Sequence, residues 1–185
     1  MQQSHRNSVT LVLGGVRSGK SRFALEVASK APSVTFVATA RACDDEMRVK
    51  IERHRSERPG HWKTREEPLK LAEVIAETGG AYDELVLVDC LTLFAANLME
   101  AYSQDRSALL AAIEELISAL CNAKCRVVLV SNEVGSGIVP AYAAGRQFRE
   151  VLGELNQQVA VIADHVILMI AGLPLPIKGS IEGLR

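Results

Sequence analysis

Eight consecutive residues near the start of the chain, Gly14, Gly15, Val16, Arg17, Ser18, Gly19, Lys20 and Ser21, carry the spacing G-x4-G-K-S. An apolar run, Val9–Leu13, precedes them and a helical pattern, Lys20–Lys30, follows. That context gives the spacing a physical meaning. Glycines let the backbone turn so that successive N–H groups converge on phosphate oxygens, and the start of the helix adds partial positive charge. The lysine then reaches the β- and γ-phosphates and the serine hydroxyl sits on Mg²⁺. The spacing predicts a site for a nucleoside triphosphate.

Such a loop needs an acidic partner on a neighbouring strand. Asp89 closes the run Leu85–Val88, so a parallel strand would deliver its carboxylate to the end of the sheet where ligands bind. Asp89 is therefore expected, with Ser21, on the magnesium side, partly through water; the competing reading is a cap for the helix that starts at Leu91. Glu133, just past the run Val127–Ser131, is a second carboxylate that could face the same end.

A second cationic element follows. Between Arg41 and Arg65 stand eight of the chain's 21 Lys and Arg residues, led by Asp44, Asp45 and Glu46 in the manner of a helix N-terminus. Met47, Ile51 and His54 share one face of that helix, with Arg55 and Arg58 close by. Taken alone, His54 is either a packing residue or a nucleophile. A neutral imidazole can attack an α-phosphorus and divide one transfer into two easier steps, while arginines spread the developing charge. Spacing does not choose between the two. The remaining histidines read as a terminal residue (His5), a structural residue or substrate contact beside Trp62 (His61), and the opening of an apolar strand (His165).

The elements that must position these groups alternate along the chain. Val9–Leu13, Val34–Ala38, Leu85–Val88, Val127–Val130 and Val166–Ile170 are short apolar runs without polar alternation, as strands buried on both faces read. Helical patterns lie between them at Lys20–Lys30, Asp44–Arg58, Leu69–Glu77, Leu91–Met99, Arg106–Cys121 and Arg146–Ala163. Strands joined by helices require crossovers, hence an α/β fold with a mostly parallel sheet and helices on both faces. With the phosphate loop, this is the three-layer pattern of a P-loop NTPase of the RecA-like kind.

The 185 residues fit one domain, 1–185, with residues 1–8 expected to be disordered and 172–185, holding two prolines, a tail or edge segment. With 48% hydrophobic and 23% charged residues the composition is that of an ordinary globule. A net charge of −1, a sequence pI of about 6.4 and 4% aromatics argue against a nucleic-acid binder. No stretch is apolar for long enough to span a membrane. Cys43, Cys90, Cys121 and Cys125 form neither a disulfide framework nor a paired zinc pattern, and the expectation is reduced thiols in a cytoplasmic protein.

Over Val12 to about Lys178 the chain resembles the bifunctional adenosylcobinamide kinase/adenosylcobinamide-phosphate guanylyltransferases of cobalamin synthesis. The shared stretches are Leu13 to Arg22, Val37-Ala38-Thr39-Ala40, Asp44 to Met47, Ile51 to Arg55 with Arg58-Pro59 and His61-Trp62, and Val88 to Thr92. Ser131-Asn132-Glu133-Val134-Gly135-Ser136-Gly137-Ile138-Val139-Pro140 and Gly172-Leu173-Pro174-Leu175 complete the resemblance. The phosphate loop is common to many families, whereas the run ending at Pro140 and the pattern around His54 are specific. Val16 stands where the family usually has alanine, residues before Val9 have no counterpart, and Ser180 to Arg185 extend past the usual end.

The resemblance implies that His54 carries GMP as a covalent intermediate. It implies that Ala38, Thr39, Ala40, Arg55, Ser56, Glu57, Arg58 and Glu66 contact the guanine nucleotide and that Asp89 is the family's acidic position. ATP or GTP would phosphorylate adenosylcobinamide, and GTP would then supply GMP to adenosylcobinamide phosphate. It further implies a homo-oligomer, a trimer, with part of the corrinoid site between subunits. On the residues alone two other readings compete: a small-molecule kinase in which His54 only packs, and a RecA-like nucleotide switch acting on a protein partner.

Overall fold

The computed structural model describes residues 7–41, 59–78, 84–182 and 184. Val9–Gly14 (β1) leads through the loop into Lys20–Ala28 (α1), then Ser33–Ala38 (β2), Lys63–Glu66 (β3), Leu71–Glu77 (α2) and Glu84–Asp89 (β4). Leu91–Ala101 (α3), Arg106–Cys121 (α4), Arg126–Asn132 (β5), Ala143–Ile162 (α5), His165–Ile170 (β6) and Leu173–Lys178 (β7) complete the order.

The seven strands form one sheet in the order β3-β2-β4-β5-β1-β6-β7, parallel except for the antiparallel pair β6–β7. The apolar runs lack alternation because successive residues feed opposite cores. Val86 and Val88 of β4, Val127 and Leu129 of β5 and Leu11 of β1 pack under α2–α5 with Leu91, Phe94, Leu116 and Leu152. Their neighbours Leu85, Leu87, Val128, Val130 and Val12 face the other way, under Phe23, Ala24 and Val27 of α1. Residues of both registers are buried, which forces apolar character at every position of a central strand. The three layers follow.

Two strands escape the apolar-run criterion. β3 is Lys-Thr-Arg-Glu, mostly exposed, held by parallel pairing of Thr35 to Ala38 with Lys63 to Glu66. β7, Leu-Pro-Leu-Pro-Ile-Lys, holds two prolines and sits at the other edge, where a missing N–H is tolerated. The turn into it is two residues, Ala171 and Gly172, both with positive φ (51° and 84°), the geometry that reverses a tight hairpin. The 172–185 segment thus contains an edge strand. Of the N-terminal residues expected to be disordered, all but Asn7 and Ser8 lie outside the described residues.

Candidate active site

β1 ends at Gly14, and the chain turns through Gly15, Val16, Arg17 and Ser18 to Gly19, the left-handed residue (φ 97°) from which α1 starts. A side chain at Gly19 would be strained by that φ and would crowd the Gly172 Cα at 3.2 Å. The loop is gripped from both sides by backbone hydrogen bonds. The Glu133 N–H donates to the Gly14 carbonyl (3.1 Å), and the Gly172 N–H donates to the Ser18 carbonyl (2.9 Å). Ser18 is buried, and its hydroxyl has no partner among the described residues.

The Lys20 amine curls back over the loop and donates to the Gly15 carbonyl at 2.6 Å. Burial pushes this ammonium below the ordinary lysine range, while Cys90 and Asp89 act in the opposite direction. Asp89 is thus an electrostatic neighbour of Lys20, as its position at the C-terminal end of β4 predicts. Burial also pushes the Cys90 thiol up to about 11, with hydrogen bonds from Leu93 and Thr92 pulling the other way. A cleft of about 530 Å³ opens at the loop, lined by Arg17, Ser18, Gly19, Lys20, Ser21, Arg22, Ala171 and Gly172.

The sheet brings the other sequence-predicted residues to the same end but not to the loop itself. Ala38 is in register with Asp89 on one side and Glu66 on the other. At about 4.8 Å per strand, β4 lies about 10 Å from β1 and β3 about 19 Å away. Glu66 is exposed, and its neighbour Glu67 accepts from the Leu69 and Lys70 N–H groups ahead of α2. Thr39 is fully buried and its hydroxyl faces the protein, donating to the Cys90 carbonyl (2.7 Å) and accepting from the Cys90 N–H (2.8 Å). The Glu133 carboxylate is likewise engaged locally, accepting from the Gly135 (2.6 Å) and Ser136 (3.2 Å) N–H groups. His54, Arg55, Ser56, Glu57 and Arg58 lie outside the described residues.

Two supports have a structural role that the sequence does not state. Asn97, buried on α3, donates its amide to the Thr39 carbonyl (2.8 Å) and to the Pro68 carbonyl (3.1 Å), clamping the segment after β2. Its signal was a polar residue on the buried side of the helix that carries Leu91, Phe94 and Leu98. The second support is the Gly172 turn, which opens the shared stretch Gly172-Leu173-Pro174-Leu175 and braces the loop 154 positions away in the chain, a contact with no local trace.

A mostly parallel sheet with a gripped glycine loop at the C-terminal end of an inner strand, a lysine inside the loop and an aspartate two strands away defines a P-loop NTPase. Solved structures of similar fold agree. An ATPase of a bacterial type III secretion system matches with a TM-score of 0.60 over 96% of this chain, and the EscN ATPase of enteropathogenic E. coli with 0.59 over 89%. Both are 12% identical, a likeness of fold alone, and the chain spans 58% and 43% of their lengths.

Sequence comparison is more specific. The bifunctional adenosylcobalamin biosynthesis protein CobP of Pseudomonas aeruginosa is 42% identical over 176 residues, 92% of this chain and 97% of that one. CobU of Escherichia coli, described by the same words, is 40% identical over 179 residues, covering 91% and 98%. The sequence pattern of the cobinamide kinase/cobinamide phosphate guanyltransferase family matches residues 10–177. The chain belongs to that family. Among the described residues, no helix is long and apolar enough to cross a membrane.

Proposed function

We propose that the chain phosphorylates adenosylcobinamide with a nucleoside triphosphate and then transfers GMP from GTP to adenosylcobinamide phosphate through His54. The observation that carries the reading is the Lys20 amine, half-buried in the loop with Asp89 acting on it, in a chain that matches the family from residue 10 to 177. Loop N–H groups and Lys20 hold the phosphates of either triphosphate. In the kinase step the substrate hydroxyl oxygen bonds to the γ-phosphorus as the bond to the departing diphosphate breaks. In the transfer step an imidazole nitrogen of His54 bonds to the α-phosphorus and pyrophosphate leaves. A phosphate oxygen of the acceptor then displaces the imidazole, giving adenosylcobinamide-GDP.

The donor set at the loop fits Mg²⁺. Ser21 and Asp89 offer hard oxygens, and among the described residues no group of three or more His, Cys, Asp or Glu forms a dedicated metal cage. A magnesium ion held there with the substrate phosphates would neutralise charge on the phosphoryl oxygens. We place the enzyme in the cytoplasm, in keeping with its free Cys90, Cys121 and Cys125, and read it as a homo-oligomer, a trimer, with corrinoid contacts shared between subunits.

Incubation with α-³²P-GTP tests the assignment. Wild type acquires an acid-labile, base-stable label, His54→Ala acquires none and keeps the kinase step, and Lys20→Ala loses both reactions. Label retained in His54→Ala overturns the role given to that residue, and equal losses from both substitutions overturn the division of labour.

A further inference from the structure

Arg22 stands in the first turn of α1, two residues after Lys20. Helical side chains lean toward the N-terminus of their helix, and Arg22 does so here. Its Nη2 lies 3.3 Å from the point a Cβ on Gly172 would occupy and 3.9 Å from the equivalent point on Gly19. The guanidinium therefore lies over two glycines, in the cleft that Lys20, Ser21 and Arg17 also line. A side chain at Gly172, already disfavoured by its φ of 84°, would press on it.

No hydrogen bond or ion pair joins Arg22 to another described residue. Three other arginines at this end of the sheet are engaged, whereas Arg17 on the same cleft has no such partner among the described residues. Arg41 pairs with Glu100, Arg146 donates to the Pro140 and Ala141 carbonyls, and Arg149 donates to the Gly135 carbonyl. A planar fork of five donors, kept in a cleft beside loop N–H groups, matches a phosphoryl group in charge and geometry.

The sheet order fixes which side of the phosphates it can serve. β4, with Asp89, lies beyond β5 on one side of β1, and the β6–β7 hairpin, with Gly172, lies on the other. Resting on the triphosphate site proposed above, we infer that Arg22 binds the phosphate chain on the face turned away from Asp89, with the Ala171–Gly172 turn as the wall that positions it. The Gly172-Leu173-Pro174-Leu175 stretch then acquires a role. Its glycine leaves room for the guanidinium, and its proline, Pro174, lies in the edge strand behind the turn.

The experiment measures affinity for a non-hydrolysable GTP analogue by calorimetry in wild type, Lys20→Ala, Arg22→Ala and Arg22→Lys, each checked for an unchanged melting transition. Loss of a charge-assisted contact predicts weakening on the order of 10- to 100-fold in Arg22→Ala. Arg22→Lys is intermediate, because it keeps the charge and loses the fork. Millimolar guanidinium ion partly restores Arg22→Ala, which a structural role would not allow. Arg22→Ala within twofold of wild type, with Lys20→Ala impaired, overturns the inference and leaves the triphosphate site standing. A wild type that fails to bind the analogue overturns the site itself.

Discussion

Thr39 separates two accounts of the segment after β2. The family resemblance makes it a nucleotide contact, whereas its hydroxyl is turned inward and holds both the N–H and the carbonyl of Cys90, the residue that follows Asp89. Thr39→Val keeps the shape and removes the hydroxyl. Thr39 is 0% exposed, so water cannot replace the lost partner. The Cys90 N–H is left unpaired at a cost of about 1–3 kcal/mol, whereas the Cys90 carbonyl keeps the Phe94 N–H (3.1 Å), and valine's extra apolar contact recovers a part. The expected loss is about 1–2 kcal/mol. With a urea slope of about 2–3 kcal/mol per molar, the unfolding midpoint falls by roughly 0.5 M. Thr39→Ser, which keeps the hydroxyl, returns most of that stability. Below its midpoint, Thr39→Val also turns over more slowly and needs more magnesium, since the Asp89–Cys90 corner is no longer pinned. A Thr39→Val protein of wild-type stability with weakened nucleotide binding would refute the argument and restore the contact role.

Two further expectations concern ionisation. Lys20 must be protonated to hold phosphate, so triphosphate affinity is full at low pH and lost as pH rises through its pKa. Because burial lowers that pKa and Asp89 raises it, the loss begins below the ordinary lysine range and begins earlier still in Asp89→Asn. Calorimetry across pH without magnesium reads it, and a limb that moves upward in Asp89→Asn contradicts the electrostatic pairing. Among the described cysteines, iodoacetamide at pH 8, followed residue by residue by mass spectrometry, modifies exposed Cys121 first. Cys90 and Cys125, both pushed up to about 11 by burial, lag far behind, and comparable rates at all three would contradict it.

Legibility in the sequence tracks how local each constraint is. Five strands could be read because burial on both faces leaves an unbroken apolar run, as in Leu85–Val88, where Leu85 and Val86 enter different cores. β3 could not, since its four residues are polar and its only reason to be extended is β2 beside it. β7 was legible no further than as an edge segment, because its prolines weaken the strand signal while Leu173, Leu175 and Ile177 remain exposed. The phosphate loop is contiguous and therefore plain. The inward turn of Thr39 and the clamp by Asn97 depend on contacts 51 and 58 positions apart, which no window along the chain displays.

The same distinction explains which loop positions are constrained. The fold grips the loop by its backbone, through Glu133 at Gly14, Gly172 at Ser18 and Lys20 at Gly15. Gly14 has no room for a side chain, since a Cβ there would stand 2.6 Å from the Met169 carbonyl and from the Ser18 hydroxyl. Gly15 has nothing within 4 Å of its Cβ position, and Val16 is 86% exposed. A cradle made of N–H groups asks of its outer residues only that they leave the backbone path alone. Valine in place of the family's usual alanine meets that demand because its extra methyl groups enter water on the far side of the turn.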